Sequence, residues 1–284
     1  MGLVTLCDTH VHVFDPERYP YAPDRKFTPE AADLGRLVRC LDLAGMGRVV
    51  LVQPSVYGTD NRCMLDAMAS LPGKAKGIAV VSPQASCGEF DALTEAGVVG
   101  ARLNMVVHRN DDPVSAMDAL QTLDHMLPKS WHIQLHVSLH VLTQMAPALD
   151  RSDRVFVLDH LGLPAVSDGT DSPMWQALLA RVREGQLRVK LSGPYQSSKA
   201  GAPYLDLRPF VETLALASPD ALLWGSNWPH TQGVHRDGAT DVLHIEPFRP
   251  EDPLAWPQAC ERWLGHTLYE RMHRNAAELY GFES

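Results

Sequence analysis

Short β-branched runs recur along this chain with helix-like segments between them, and that alternation limits the available folds more than any other feature. Eight such runs occur, at Val4–His12, Val49–Pro54, Gly77–Ser82, Val99–Asn104, His132–Val137, Val155–His160, Arg188–Ser192 and Leu222–Trp228. Several, such as VVLVQ and VFVLD, are apolar at consecutive positions, which predicts strands buried on both faces, as in a parallel sheet covered by helices. The segments Asp33–Ala44, Asn61–Ser70, Gly88–Ala96, Pro113–Met126, Leu139–Leu149, Met174–Glu184, Leu207–Ala217 and Pro257–Tyr280 read as the helices, with Asp60 and Ser138 as N-cap candidates. Eight parallel strands close a barrel, and 284 residues accommodate the roughly 250 that a (β/α)8 (TIM) barrel needs. No linker, repeat or low-complexity tract interrupts the pattern, so the expectation is an α/β chain forming one barrel domain over residues 1–284.

The segments richest in proline, glycine and aromatics are Asp15–Pro29, Gly162–Pro173, Ser197–Tyr204 and Pro229–Pro253. Each follows a strand, which places it at the C-terminal mouth, where barrels keep their chemistry. A formal net charge of −9 lacks the basic excess that nucleic acid or an anionic membrane would reward. The five cysteines, Cys7, Cys40, Cys63, Cys87 and Cys260, are scattered and never form C-x-x-C, so neither a disulfide framework nor a thiolate metal site is expected. With no basic-then-apolar leader and no apolar run long enough to span a bilayer, the expected location is the cytoplasm.

The sharpest chemical signal is Asp8-Thr9-His10-Val11-His12. Residues alternate faces in an extended segment, so His10 and His12 point the same way, into the barrel if Val11 and Val13 point out. Two imidazoles at that spacing can bind a metal or polarise a substrate oxygen, although an H-x-H alone is a modest signal. Further polar groups stand at other strand ends: His136 at the fifth, His160 at the sixth, and Asn227, followed by His230, at the eighth. Side chains at four strand ends converge on one cavity only if the chain closes.

From DTHVHVFDPERYPYAPDRKFTPE through VQPSVYGTDN, GARLN, WHIQLHV, VLDHLG, VKLSGPY and WGSNWPH to RNAAELYGF, the chain resembles the amidohydrolase superfamily, specifically its lactone-processing branch. That branch includes 2-pyrone-4,6-dicarboxylate lactonases and D-galactarolactone isomerases. The resemblance implies a lactone carbonyl polarised at His10, His12 and His160 without a metal, water activated by a last-strand aspartate, and substrate carboxylates held by arginines.

The departures are informative. Asn227 stands where the resemblance implies aspartate, and an amide cannot take up a proton near neutral pH. Losing a general base costs about 10²–10⁴-fold. The expectation is therefore a lactone isomerase, in which a substrate hydroxyl held close to the carbonyl replaces activated water. Arg102 matches one carboxylate-binding position, a second is taken by His108 with Arg109 beside it, and a third is Gln196. Fewer fixed cations favour a hydroxylated anionic lactone, such as a sugar-acid lactone, over a planar dicarboxylate. Ser55 and Tyr57 would add hydrogen-bonding wall, and His136 completes the substrate pocket.

The expected cofactor is none. The alternative is zinc on His10, His12 and His136, which would make the protein a zinc-dependent hydrolase, as against a metal-free one. A non-catalytic sugar-acid-binding barrel is the rival from another class. No G-x-S-x-G elbow, phosphate-binding loop or dinucleotide fingerprint occurs, which argues against serine-hydrolase and nucleotide-cofactor chemistry. The expected partner is a small anionic lactone; the oligomeric state is not legible.

Overall fold

The computed structural model describes residues 4–106, 112–232 and 242–283. Its centre is an eight-stranded sheet of β1 (Cys7–Val11), β2 (Arg48–Val52), β3 (Ala75–Ala79), β4 (Val98–Asn104), β5 (His132–His136), β6 (Phe156–Leu158), β7 (Leu187–Leu191) and β8 (Leu222–Trp224), paired in chain order. All seven pairings are parallel. The two outer strands then meet: Val11 bridges Trp228, the His12 N–H donates to the Trp228 carbonyl, and the Asn227 N–H donates to the His10 carbonyl, each at 2.9 Å. This seam makes the sheet a nearly closed barrel, as the alternation predicts, and removes the exposed edges an open sheet would carry.

Around it lie α1 (Leu34–Ala44), α2 (Arg62–Ala69), α3 (Cys87–Glu95), α4 (Pro113–Met126), α5 (Leu139–Gln144), α6 (Pro173–Glu184), α7 (Arg208–Ala217), α8 (Ala255–Leu264) and α9 (His266–Tyr280). Local chemistry sets several boundaries. Ser138 accepts the Val141 N–H and starts α5 as predicted. At α2 the cap position is Asn61 rather than Asp60, but the Asn61 amide is occupied with the Val80 backbone and makes no capping bond; the Asp60 carboxylate accepts the Arg62 N–H at 3.2 Å. The segment read as one terminal helix is two, broken at Gly265, whose φ of 79° ends the helical path. A two-stranded ribbon pairs Thr28–Pro29 with Ile245–Glu246.

Strand alternation sorts the core into two faces. Val49 and Leu51 pack outward under the helices, in the large cluster with Leu37, Trp131 and Trp175. Val50 and Val52 join Ile78, Val157, Leu223 and the C-terminal Tyr280 in a smaller cluster. Lys190 approaches the Tyr280 ring, 5.8 Å from its centroid, so this inner apolar plug gives way to polar side chains within the barrel. Among the described residues no helix is long and apolar enough to cross a membrane.

The seam allows little room. A Cβ on Gly225 would lie 2.8 Å from the His10 Cβ and 3.1 Å from the His10 nitrogen. Gly225→Ala is expected to lower stability by about 1–3 kcal/mol through overpacking, measured by chemical denaturation. An unchanged midpoint would mean that β1 and β8 are less tightly apposed than described.

Candidate functional site

His10 lies on β1, where its i, i+2 partner His12 emerges on the same face; both are buried, and their ring centroids are 5.0 Å apart. His160 follows β6 directly, with its ring 4.7 Å from that of His10 and 4.9 Å from that of His136 at the end of β5. Four histidine rings from three strand ends thus lie side by side. Beside His160, Asn227 occupies a left-handed backbone conformation, with φ of 63°, which asparagine tolerates better than most residues. Its Nδ2 donates to the Tyr195 hydroxyl at 2.8 Å. Gly193 keeps this corner open: a Cβ there would come within 3.0 Å of His160 Nδ1, Asn227 Nδ2 and Gln196 Nε2, at a φ of 52° that already favours glycine.

The residue that sequence reasoning passed over is Asp159. It sits within the quoted VLDHLG motif, directly before His160, and is fully buried. Arg102 donates from Nε to Asp159 Oδ2 at 3.0 Å, with a terminal guanidinium nitrogen 2.9 Å from the same oxygen. Gln134 Nε2 adds a third donor at 3.2 Å. The other oxygen, Oδ1, stands 3.2 Å from His10 Nδ1 without the alignment of a hydrogen bond. Burial pushes the Asp159 carboxyl up, but the Arg102 guanidinium and the Lys190 ammonium outweigh it and hold the group well below the usual carboxylate range. Asp159 is thus an anion paired to Arg102.

The histidines are neutral. Burial drives His10 and His136 well below the ordinary imidazole value, His12 to about 3 and His160 to about 4. In a neutral His12, Nδ1 donates its one hydrogen to the Val52 carbonyl at 2.7 Å, so Nε2 carries a bare lone pair. His12 then has no hydrogen with which to polarise a lactone carbonyl. His160 Nδ1 lies 2.9 Å from the Ser192 hydroxyl.

His10, Asp159 and His160 bring one potential ligand atom each within 4.8 Å of one another. Both His10 nitrogens and Asp159 Oδ1 are buried without a hydrogen-bond partner, an expensive state unless something occupies the space between them. This corrects three expectations. The absence of a metal fails, because the donors are arranged as ligands. The zinc alternative of His10, His12 and His136 is redrawn as His10, Asp159 and His160. The isomerase reading fails with its premise: a carboxylate was sought only at Asn227, while Asp159 supplies one from the end of β6.

The remaining expected residues are dispersed. Arg102 and Ser55 border a cavity of about 420 Å³ together with Gln53, Leu103, Leu123 and Met126. Tyr57 is buried, and its hydroxyl accepts the Asp15 N–H at 2.8 Å, which ties it to the loop after β1. Gln196 and His230 are buried near Asn227 and Tyr195 respectively, each with an unpartnered side-chain atom. His108 and Arg109 lie outside the described residues.

A family model described as amidohydrolase matches residues 7–282. A 2-pyrone-4,6-dicarboxylate hydrolase of Comamonas testosteroni is 34% identical over 234 residues, covering 78% of this chain and 76% of its own. A D-galactarolactone isomerase of Agrobacterium fabrum is 30% identical over 228 residues, covering 78% and 76%. A crystal structure of a probable 2-pyrone-4,6-dicarboxylic acid hydrolase from Acinetobacter baumannii, with citric acid bound, superposes with a TM-score of 0.76 at 26% identity, over 98% of this chain and 100% of that one.

Removing Arg102 would leave Asp159 buried with most of its compensation gone. Arg102→Met is expected to destabilise the protein by about 3–5 kcal/mol, read from equilibrium unfolding. A loss below about 1 kcal/mol, typical of an exposed pair, would contradict the buried ion pair.

Proposed function

Because the chain belongs to the amidohydrolase family, we propose that its single barrel domain is a lactone hydrolase acting on a small anionic lactone with a zinc ion held by His10, Asp159 and His160. The observation that carries this reading is the group of buried, unpartnered ligand atoms on His10 and Asp159, converging with His160. Two neutral imidazoles and one carboxylate form the donor set of an open catalytic zinc site, which leaves a position for water or substrate. Zinc bound there would supply Lewis acidity toward the carbonyl oxygen and lower the pKa of water. The family relationship and the hydrolases among the relatives favour hydrolysis.

The chain's own groups account for the rest. Arg102 borders the cavity and provides positive potential for an anionic substituent. Ser55, on the same wall, offers a hydroxyl to the lactone's substituents. His136 adjoins His160 and has both nitrogens unpartnered, so it is the group placed to take a proton from the attacking water and return it to the ring oxygen as the acyl–oxygen bond breaks. Asn227, with one amide hydrogen on Tyr195, is oriented to hold the water or the carbonyl. Water adds across the ester, and the products are a hydroxyl and a carboxylic acid that ionises, releasing one proton to solvent.

Two measurements test this reading. Chelator treatment is expected to abolish hydrolysis of anionic lactones, zinc to restore it, and oxygen-18 from labelled water to enter the carboxylate; full activity after metal removal would overturn the zinc assignment. His136→Gln is expected to reduce kcat by about 10²–10⁴-fold with zinc content unchanged. A wild-type kcat in that variant would move the base to another group.

A further inference from the structure

Beneath the cluster runs a chain of buried polar groups that the proposed reaction leaves unused. Lys190, on β7, is fully buried, and its Nζ donates to the Thr9 carbonyl at 2.8 Å and to Gln134 Oε1 at 2.7 Å. Gln134, on β5, is equally buried and donates from Nε2 to Asp159 Oδ2 at 3.2 Å. An ammonium only donates and a carboxylate only accepts. A glutamine between them has one amide orientation that satisfies both ends, and Lys190 selects it. Without that ammonium the amide is free to turn over and set its oxygen against the carboxylate, a repulsive contact where little water can screen it.

The consequence falls on Asp159. Gln134 and Arg102 both donate to Oδ2, while Oδ1 accepts no hydrogen bond and stands 3.2 Å from His10 Nδ1, with the Lys190 ammonium 3.9 Å away on the same oxygen. A buried lysine is a costly way to fill space, since apolar residues of similar volume are often at least as stabilising. We propose that Lys190 and Gln134 are positioning residues that keep the Asp159 carboxylate rotated with Oδ1 presented to His10 and His160. The zinc reading enters only through one of the two measurements below.

The test uses Lys190→Met, Gln134→Met and the double variant, checked for folding by circular dichroism. In each single variant, zinc affinity, measured by competition with a chromogenic chelator, is expected to fall about 10- to 100-fold. The double variant is expected to fall no further than the weaker single one, because both residues act through one carboxylate. Crystal structures of the metal-free variants are expected to show Oδ1 turned from His10. Folded variants with affinity within twofold of the parent and an unmoved carboxylate would overturn the proposal. Should the methionine variants not fold, Gln134→Glu keeps an acceptor for Lys190 and removes the donor to Asp159, and the same two outcomes apply. If the unmodified protein binds no zinc, the metal reading alone falls, and the carboxylate's position in the variant crystals still decides the clamp.

Discussion

The pairing of Arg102 with Asp159 is the interaction on which the interior depends. Both side chains are almost wholly removed from water, and an unpaired charge in that setting would cost several kcal/mol. Two guanidinium contacts and one amide offset that cost at a single carboxylate oxygen, which keeps Asp159 ionised in a space otherwise lined by neutral imidazoles. In the zinc reading proposed above the negative charge has a use: neutral histidines would hold a divalent cation by lone pairs alone, while one carboxylate adds Coulombic attraction in a medium of low dielectric.

The barrel was legible because its strands carry a physical signature that needs no partner to be read. A run such as Val49–Val52 is apolar on both faces, and only a strand covered on both sides makes use of that. Chain breaks within predicted helices were less legible, since the break at Gly265 depends on a backbone angle rather than on hydrophobic period. At the site, strand ends pointed to His10, His12, His136 and His160, which do converge. Asp159 was hidden by its place: an aspartate next to a histidine at a strand end reads as the start of a turn. Its importance emerges only from register, which pairs Arg102 with Gln134 across β4 and β5. Lys190 was hidden more deeply, because one lysine in an apolar run resembles an outward-facing residue until the barrel is closed.

Asn227 illustrates how a correct observation led to a wrong reaction. The resemblance implies an aspartate where Asn227 stands, and an amide there cannot take up a proton near neutral pH. The step from one position to the whole pocket failed, because carboxylates reach the same space from other strands. Asn227 holds a left-handed turn, joins Tyr195 and donates its backbone N–H to His10. These contacts give it structural work that is independent of proton transfer.

The seam between β1 and β8 is made by the backbones of His10, His12, Asn227 and Trp228, and the side chains of the first three stand in or beside the histidine cluster. Anything that bridges the side chains of His10 and Asn227 therefore staples the two ends of the sheet together. Occupancy and closure are then thermodynamically linked: a ligand that binds only the shut barrel opposes opening by RT ln(1 + [L]/Kd). Local opening at this seam sets the hydrogen-exchange rate of the amides of His12 and Asn227. Those two backbone protons report from within the sheet whether the pocket is filled.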